Sequence, residues 1–395
     1  MNVLIDAIAI RKSKAGVGVY AENLIDELVR DPSSTHFYVL AQSDDADLDY
    51  SHCSNVTMVR VPAMLFRKLP LRFLLEQAVL PLLLVRHRID VLHSLHYSFP
   101  LVRFGTKQIV TVHDMTFFNM PEVHVPVKVA YFRIFIRAAV RFADKIIFVS
   151  HSTMKDCVTR LGPIKGSAQV IHLGKSEAFH PALDKERTRQ VRRKYAHGSE
   201  FVLYLGTIEP RKNLSRLIAA FAPVSARHPG LLLLLAGEKG WMYDDLLASI
   251  RKLNLEYCVV FTGFVPEDEK PFLIGAAKAF VYPSLYEGFG IPVLEALACG
   301  VPTLTSRVSS IPEVAGDAAL LVDPADVEAM SSGLERVISD EALRDRLRRE
   351  SVRQAARFSW RRTAELTLGA YHSVLSMPGR GCNVECTNCA EGDND

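Results

Sequence analysis

Two glutamates separated by seven residues offer the clearest chemistry in this sequence. Glu287 and Glu295 follow an apolar run, and Gly288 and Gly290 lie between them. Each carboxylate can accept two hydrogen bonds from a diol, and glycines let a backbone approach a ligand closely. A helix predicted over 292–300 places Glu295 in its first turn and offers free amides to a phosphate. The alternative is a solvated loop glutamate plus a glutamate stabilised by the helix dipole.

Two adjacent cations supply the complementary charge. Arg211 and Lys212 lie in Gly206–Asn213, directly after the apolar run Phe201–Leu205. Cations between the end of a strand and the start of a helix can clamp a diphosphate. The competing interpretation is a plain helix start, with Pro210 in the first turn and two exposed cations.

A histidine and an aspartate end another apolar run. His113 and Asp114 follow Ile109–Val112. A lone histidine is commonly structural, but the carboxyl end of a strand favours a functional one, because ligands of open α/β sheets bind there. His151 and Ser152, after a later run, are weaker candidates for the same cleft.

A glycine-rich loop near the N-terminus can bring backbone amides to a phosphate. Gly16, Val17 and Gly18 precede a helix-like run, Ala21–Val29, and their spacing also fits the dinucleotide-binding fingerprint. That fingerprint requires glycines directly after the strand, whereas Arg11–Ala15 intervene here. No acidic residue clearly ends the next predicted strand either, so the sequence disfavours an NAD-dependent oxidoreductase.

Metal-ligand spacing occurs in two acidic pairs and one cysteine cluster. The acidic pairs have D-x-D spacing and are Asp47 with Asp49 and Asp393 with Asp395. Both lie in acidic or terminal stretches that predict solvated charge. The cluster Cys382, Cys386 and Cys389 has spacing that can hold zinc or an iron–sulfur cluster, but only six residues follow it. We therefore predict no metal site and no cofactor.

Length and composition bound the architecture that must position these residues. The 395 residues suggest two domains, and 49% hydrophobic and 23% charged residues are ordinary for globular proteins. A formal charge of +3 is too small to predict nucleic-acid binding. No apolar run is long enough to predict a transmembrane helix. Seven cysteines without a signal-peptide pattern favour a reducing cytoplasm.

Apolar runs alternate with helix-like stretches along most of the chain. This alternation predicts two doubly wound α/β domains, each a parallel sheet covered by helices on both faces. The predicted strands are Val3–Ile10, Phe37–Ala41, Val56–Val61, Val91–His93, Ile109–Val112, Ile146–Val149, Gln169–His172, Phe201–Leu205, Leu231–Ala236, Val259–Thr262, Ala279–Tyr282, Val301–Thr305 and Ala319–Val322. Ligands should bind in the cleft between the two domains.

The domain boundaries follow from a polar, charged join at Glu177–Ser199. This stretch predicts either a linker or a helix that opens the second domain. We place the first domain at residues 1–183 and the second at 184–376, with a last helix that can pack back on the first domain. Residues 377–395 are rich in glycine and acidic residues and predict a disordered tail.

Several of these motifs, in this order, resemble the GT4-type family of retaining glycosyltransferases. Glu287 to Glu295 is similar to the family's E-x7-E motif, and Gly206–Asn213 resembles its phosphate loop. Further likeness lies in Gly237-Glu238, Phe261–Val265 and Ser310–Val314, and extends to about residue 375. The resemblance implies a GT-B fold, two Rossmann-like domains facing each other across a cleft. It also implies transfer of a sugar from a nucleotide donor with retention and without a metal.

The resemblance assigns a role to each matching residue. Glu295 would bind the donor ribose and Glu287 the transferred sugar, while Arg211 and Lys212 would hold the diphosphate and stabilise the leaving group. Some members carry an arginine where this chain has Thr207, so binding of the diphosphate would depend more heavily on Arg211 and Lys212. The other implied contacts are Gly16, Val17 and Gly18 (diphosphate and acceptor), Gly206 (phosphate), Gly288, Phe289, Gly290 and Ile291 (sugar and phosphate), Phe264 and Val265 (base), His113 (donor sugar) and Asp114 (imidazole or acceptor).

The first half of the chain also carries excess positive charge. Residues 51–150 contain thirteen Lys/Arg and five Asp/Glu, a net +8. Phe66–Arg88 mixes cations with leucines, and Arg133, Arg137 and Arg141 recur every four residues on one predicted helix face. Basic amphipathic helices bind anionic membrane surfaces. A core-packed helix with a solvated basic face explains the same pattern.

The sequence thus predicts a hexosyltransferase that uses a nucleotide sugar in cell-surface polysaccharide synthesis. The context His113–Phe117 resembles a branch with many mannosyltransferases, so GDP-mannose is the first choice of donor. The expected acceptor is a saccharide or a lipid-linked saccharide, and the expected location is the cytoplasm, including the inner face of its membrane. The alternatives are a non-catalytic nucleotide-binding subunit and a sugar-nucleotide epimerase of the same fold.

Overall fold

The computed structural model describes residues 1–8, 16–31, 34–45, 48–63, 69–238, 240 and 243–377. Several predictions concern residues outside these ranges: Asp47, Asp393 and Asp395, the three tail cysteines, and the tail from residue 378 onward. Among the described residues, no helix is both long and apolar enough to cross a bilayer.

Seven parallel strands form the sheet of the first domain, in the order β3-β2-β1-β4-β5-β6-β7. They are β1 (Asn2–Asp6), β2 (His36–Gln42), β3 (Val56–Val61), β4 (Val91–Ser94), β5 (Lys107–Val112), β6 (Lys145–Phe148) and β7 (Ser167–Val170). The strand order reverses between β1 and β4, where Asp6 pairs with Ser94. A crevice is therefore expected at the carboxyl edge of the sheet, between the ends of β1 and β4.

Six parallel strands form the second sheet, in the order β10-β9-β8-β11-β12-β13. They are β8 (Phe201–Leu205), β9 (Leu232–Ala236), β10 (Val259–Gly263), β11 (Ala279–Tyr282), β12 (Thr303–Ser306) and β13 (Leu320–Val322). The reversal lies between β8 and β11, the two strands that precede the cation pair and the E-x7-E segment. Sheet topology alone therefore brings these two motifs side by side.

Helices flank the first sheet. They are α1 (Gly16–Val29), α2 (Leu69–Leu74), α3 (Leu80–Arg86), α4 (Thr116–Asn119), α5 (Pro126–Phe142) and α6 (His151–Leu161). A π-helical turn, Leu75–Val79, joins α2 to α3. The predicted loop over Gly16–Tyr20 is wrong, because these residues form the first turns of α1. Glycine is a weak helix former, but Tyr20 is buried in the core and holds this segment helical.

The helices of the second half begin with one that the join itself forms. They are α7 (Lys185–Ala196), α8 (Leu214–Arg227), α9 (Tyr243–Lys252), α10 (Lys270–Ala276), α11 (Ile291–Ala298), α12 (Ile311–Ala315), α13 (Val327–Ser339), α14 (Glu341–Ala355) and α15 (Trp360–Leu375). The Asp184 side chain accepts a hydrogen bond from the Arg187 amide and caps α7. Of the two interpretations of the join, the helix is the one observed.

The last helix returns to the first domain. Tyr371 on α15 is fully buried, and its hydroxyl lies 2.8 Å from Nδ1 of His93 on β4. Near the start of the same helix, the Trp360 ring lies 6.3 Å from that of Tyr20 on α1. The chain therefore crosses between the two sheets twice.

The predicted fold class is confirmed. Each predicted strand overlaps an observed one, and both sheets are parallel and doubly wound. The agreement follows from burial, because strands covered on both faces must be continuous apolar runs. The carboxyl edges of the two sheets face the same cleft.

Candidate active site

A cleft of about 650 Å³ between the domains is lined by every residue of the predicted site. From the first domain these are Gly16, Val17, Gly18, His113 and Asp114, and from the second Gly206, Arg211, Lys212, Phe264, Val265, Glu287, Gly288, Phe289, Gly290, Ile291 and Glu295. His151 and Ser152, the weaker candidates, are not among its lining residues. The residues that carry the motifs therefore share one space.

Glu287 is the centre of a buried ion cluster. Its Oε2 lies 2.8 Å from Nη1 of Arg211, and its Oε1 lies 2.7 Å from Nζ of Lys212. Ser284 and Tyr282 also donate their hydroxyls to Oε1, at 2.5 and 3.1 Å. Both carboxylate oxygens are thus engaged by cations.

The two cations keep unused donors. Lys212 has three N–H groups, of which Glu287 and the Tyr282 hydroxyl accept two. Arg211 donates to the carbonyl of Tyr286 at 2.8 Å and to Glu209 at 2.6 Å, which leaves part of its guanidinium edge free. A diphosphate that enters the cleft would share these donors with the carboxylates.

Ionisation in the cluster follows from this pairing. Burial alone would raise the pKa of Glu287, but Arg211 and Lys212 outweigh it and hold that pKa at about 2. Burial and the charge of Arg211 lower the pKa of Lys212, while Glu287 opposes the shift. Glu287 is therefore a carboxylate at neutral pH, which leaves it unsuited to act as a general acid.

Glu295 has the opposite environment. It lies one turn inside α11 rather than in the first turn as predicted, because the helix begins at Ile291. Burial raises its pKa to about 8, with Lys270 opposing and Glu267 reinforcing the shift. At neutral pH the Glu295 carboxyl is therefore mostly protonated, and a ligand with hydroxyl donors would favour its ionised form.

Gly288 is the point of closest approach between the domains. A Cβ added there would lie 1.8 Å from the carbonyl oxygen of His113 and 2.9 Å from Cβ of Asp114. The glycine is required because a strand-end loop of one domain passes directly over that of the other. Two residues on, Gly290 has φ +107° and precedes the first turn of α11.

His113 is buried and neutral. Its Nε2 lies 2.8 Å from the carbonyl oxygen of Leu95, and because a carbonyl only accepts, Nε2 carries the proton. Burial lowers the pKa of the imidazole, although Leu95 and Asp114 oppose the shift. Nδ1 is thus left as an acceptor.

Asp114 does not orient that imidazole, which corrects one of its two predicted roles. Its Oδ1 accepts instead from the amide and hydroxyl of Thr116, at 3.0 and 2.7 Å, and from the Tyr97 hydroxyl at 3.2 Å. These bonds anchor the start of α4. The leucine carbonyl fixes the histidine because β4 and β5 are neighbours and their ends meet.

Several lining residues carry no signal in the sequence. Glu209 pairs with Arg211, and Lys270 faces Glu295, yet each reads in sequence as an ordinary surface charge. His96 lines the first-domain wall, and its buried Nδ1 has no partner among the described residues. Tyr282 ends β11, so only its position at a strand end could have pointed to it.

Of the four aspartates with D-x-D spacing, the structure describes Asp49. The carboxylate of Asp49 lies 3.4 Å from the guanidinium of Arg60 and accepts the Ser51 amide. An ordinary ion pair therefore accounts for this residue.

Comparison with known proteins divides the chain at the same place as the sheets. A model described as "Glycosyltransferase Family 4" matches residues 15–175, and one described as "Glycosyl transferases group 1" matches 184–354. O-antigen chain mannosyltransferase B of Escherichia coli is 34% identical over 269 residues, which cover 67% of this chain and 70% of that protein. The serotype-specific mannosyltransferase WbdA of E. coli is 37% identical over 244 residues, 59% of this chain but only 29% of WbdA.

Solved structures share the architecture at low identity. Sucrose-phosphate synthase from Thermosynechococcus elongatus superimposes with a TM-score of 0.76 at 19% identity, covering 95% of this chain and 99% of that one. HepE of Anabaena, solved in complex with UDP and glucose, gives 0.74 at 19% identity, covering 94% and 100%. At such identities the likeness concerns the fold.

Proposed function

The chain belongs to family 4 of the retaining glycosyltransferases, and from that premise we propose that it transfers mannose from GDP-mannose to a saccharide or lipid-linked saccharide. The observation that carries the proposal is the convergence of Arg211 and Lys212 with the E-x7-E segment in one cleft. The E. coli relatives whose names specify mannose support the sugar. The first of these is named for the O-antigen chain, which supports a place in cell-surface polysaccharide synthesis.

The cations and α11 would stabilise the leaving group. The bond from the anomeric carbon to the β-phosphate breaks while the bond to the acceptor oxygen forms, and the departing phosphate takes the acceptor's proton. Negative charge grows on the phosphate, close to Arg211 and Lys212. Fixed cations in a partly dry site stabilise such charge without reorganisation, which is the catalytic contribution of this chain.

The remaining groups would position the donor. Glu295 accepts hydrogen bonds from the ribose hydroxyls. Phe264, whose side chain is 60% exposed, lines the cleft beside the base. The Nδ1 acceptor of His113 receives a hydroxyl of the transferred sugar. Gly16–Gly18, in the first turn of α1, offer amides to the diphosphate or the acceptor. We expect no metal and no cofactor in these steps.

Binding calorimetry with GDP, UDP, ADP and NAD, first without metal and then with Mg²⁺, tests the donor. Metal-independent preference for GDP supports GDP-mannose. A preference for UDP contradicts the choice of GDP-mannose but is compatible with a glycosyltransferase. Binding of NAD alone contradicts the assignment of the cleft to a nucleotide sugar.

Turnover separates an enzyme from its alternatives. Release of GDP from GDP-mannose that depends on an added saccharide acceptor supports the transferase. Nucleotide binding without turnover of any sugar nucleotide favours a non-catalytic subunit. Conversion of the sugar nucleotide without an acceptor favours an epimerase.

We further infer that the first domain rests on an anionic membrane. Exposed apolar side chains concentrate there, among them Phe73 (44%), Leu82 (66%) and Phe104 (66%). The segments that carry them adjoin: Gln77 accepts the Leu101 amide, and Arg103 donates to the carbonyl of Phe142. An apolar surface within a region of net charge +8 suits a bilayer that contains acidic lipids.

Flotation with vesicles tests this surface. The full chain should float with vesicles that contain acidic phospholipid and stay behind with neutral ones. Leu82→Glu should lower the bound fraction several-fold, whereas Tyr257→Glu, at a 95% exposed position of the second domain, should not. Equal flotation of the two variants, or none by the wild type, would overturn the membrane proposal.

A further inference from the structure

Three metal-ligating side chains meet at the domain interface outside the substrate cleft. His151 begins α6, His172 follows β7, and Glu313 lies on α12 of the second domain. Their ligand atoms all lie within 4.8 Å of one another. They form the one such group of histidine, cysteine and carboxylate side chains in the described part of the chain.

We propose that His151, His172 and Glu313 form a divalent-metal site that bridges the two domains. Two imidazoles and one carboxylate are a common donor set for Zn²⁺, with a water in the fourth position. His151 is exposed, so it leaves room for that water and a path for the ion. The same donors would also accept Co²⁺ or Ni²⁺.

The present spacing is close to that of a loaded site. Nε2 of His172 lies 2.5 Å from Oε1 of Glu313, within hydrogen-bond distance. With metal bonds of about 2.0–2.2 Å, neighbouring tetrahedral ligand atoms lie roughly 3.3 Å apart. The ion would replace this hydrogen bond and open the His172–Glu313 pair by less than about 1 Å, while the exposed His151 ring swings inward.

The carboxylate is already oriented by other groups. The backbone amides of His151 and Ser152 donate to Oε1 and Oε2 of Glu313 at 2.9 and 3.4 Å. Hydrogen bonds of this kind fix a ligand's direction and strengthen metal binding. The amides begin α6 of the first domain, so Glu313 is held across the interface even without an ion.

The His151 side chain distinguishes a metal site from a plain hydrogen-bonded bridge. The bridge needs only His172, Glu313 and the two amides, and the His151 ring makes no hydrogen bond to any described residue. Its ring centroid is nonetheless 5.8 Å from that of His172. Loss of this side chain should therefore affect a metal and leave the bridge intact.

A bound ion would couple to the cleft. The His172 ring lies 6.0 Å from that of Phe289, which lines the cleft. Ser310, just before α12, donates to the carbonyls of Glu287 and Phe289, each at 2.9 Å. Because the ligands come from both domains, the ion would favour their present arrangement and change nucleotide affinity, and nucleotide would change metal affinity by the same factor.

The test measures metal binding directly. Zn²⁺ is titrated against a chromophoric chelator in the full chain carrying Cys382→Ser, Cys386→Ser and Cys389→Ser, since these thiols are competing ligands. We expect one equivalent per chain, and we expect His151→Ala to weaken binding at least about 10-fold. His180→Ala, at an exposed histidine outside the group, should leave the affinity unchanged. Co²⁺ should give visible bands typical of nitrogen and oxygen ligands without a thiolate charge-transfer band.

Two results would overturn the proposal. One is that the protein with the three Cys→Ser substitutions binds less than one equivalent of Zn²⁺ per chain. The other is a Zn²⁺ affinity that His151→Ala and Glu313→Gln leave unchanged. A lower melting temperature of Glu313→Gln with no change in metal binding would assign the cluster to the hydrogen-bonded bridge alone. His151→Ala changes an exposed side chain and should fold normally, so the outcome does not depend on the buried partners.

Discussion

At the scale of single residues, the two glutamates of one motif have opposite ionisation. Glu287 and Glu295 both line the cleft, yet their pKa values are about 2 and about 8. Burial penalises both carboxylates, but among the residues that the structure describes only Glu287 has cations within 3 Å to offset it. The two carboxyl groups are therefore suited to different roles. Glu287 holds the cations in place, and Glu295 can accept hydrogen bonds from hydroxyl groups.

Replacing Lys212 with methionine tests electrostatic stabilisation of the leaving group. We expect kcat to fall about 10²–10³-fold, as for the loss of one fixed donor in an active site. The melting temperature should also fall, because one partner of a buried pair is lost. Lys278→Met is the matched control, since Lys278 pairs with Glu200 outside the cleft. A kcat equal to the control's, measured with GDP-mannose and a saccharide acceptor, would contradict the assignment.

Glu295→Gln should move stability and nucleotide binding in opposite directions. The folded-state pKa of about 8 lies above the usual 4.5, so the folded state holds more protons and stability falls as pH rises from about 4.5 to 8. Glutamine removes that penalty. The variant's melting temperature should therefore exceed that of wild type, and the excess should be larger at pH 8 than at pH 5. In free energy of unfolding the gain should be at most a few kcal/mol, since one pKa unit corresponds to about 1.4 kcal/mol.

Binding of GDP gives the second readout for Glu295. Ribose hydroxyls donate to the ionised form, so wild-type affinity should rise with pH up to about 8, while the variant's stays flat. The variant should bind about 10–100-fold more weakly at pH 8, since hydrogen bonds to charged groups contribute about 1.5–3 kcal/mol. Equal affinities across that pH range would exclude Glu295 from nucleotide binding.

The sequence predicted which residues share the cleft but not how they pair. Arg211, Lys212 and Glu287 were expected to contact substrate, and the structure shows that both cations also pair with Glu287. Their pairing depends on the close approach of β8 and β11, which no local pattern encodes. His96 could not be found at all, because it lies in a segment with a second histidine, His93, and no motif distinguishes the two.

At the scale of elements, glycines set how closely loops approach. Gly288→Ala should separate the loops after β5 and β11, because its Cβ would lie 1.8 Å from the His113 carbonyl oxygen. We expect kcat/KM to fall more than about 10-fold, as a misplacement of about 1 Å lowers rates strongly. Gly369→Ala, exposed in α15 with open space around its Cβ, should instead be neutral or stabilise by about 0.5–1 kcal/mol. Equal kinetics of the two variants would show that the contact tolerates displacement.

Strand positions were predictable and helix starts less so. The run Phe201–Leu205 is observed with the predicted ends, since a continuous apolar stretch fits a buried strand. The start of α1 was missed, because Gly16 and Gly18 predict a loop by propensity while burial of Tyr20 overrides it. Glu295 lies one residue deeper in its helix than predicted, because α11 starts at Ile291, directly before the proline rather than with it.

At the scale of the whole molecule, a few polar contacts hold the domains together beside the cleft. The Tyr286 hydroxyl donates to Asp156 at 2.6 Å and accepts from the Met115 amide at 3.3 Å. Thr153 donates to the carbonyl of Gly288 at 3.2 Å. Each bond joins α6 or the loop after β5 to the loop after β11, so domain closure and assembly of the site are one event.

Tyr286→Phe tests this coupling, because the substitution removes only an oxygen. It deletes both interdomain bonds of Tyr286 and leaves the ring packed against the first domain. At about 0.5–1.5 kcal/mol per bond, closure should weaken by one or two kcal/mol, a factor of about 5–30 in its equilibrium. We therefore expect kcat/KM to fall by a similar factor and the radius of gyration in X-ray scattering to increase. Tyr195→Phe is the control, since its hydroxyl donates to Glu269 within the second half at the same 2.6 Å. If both variants keep wild-type kinetics and dimensions, other contacts hold the closed form; if only the control does, closure is what the hydroxyl of Tyr286 stabilises.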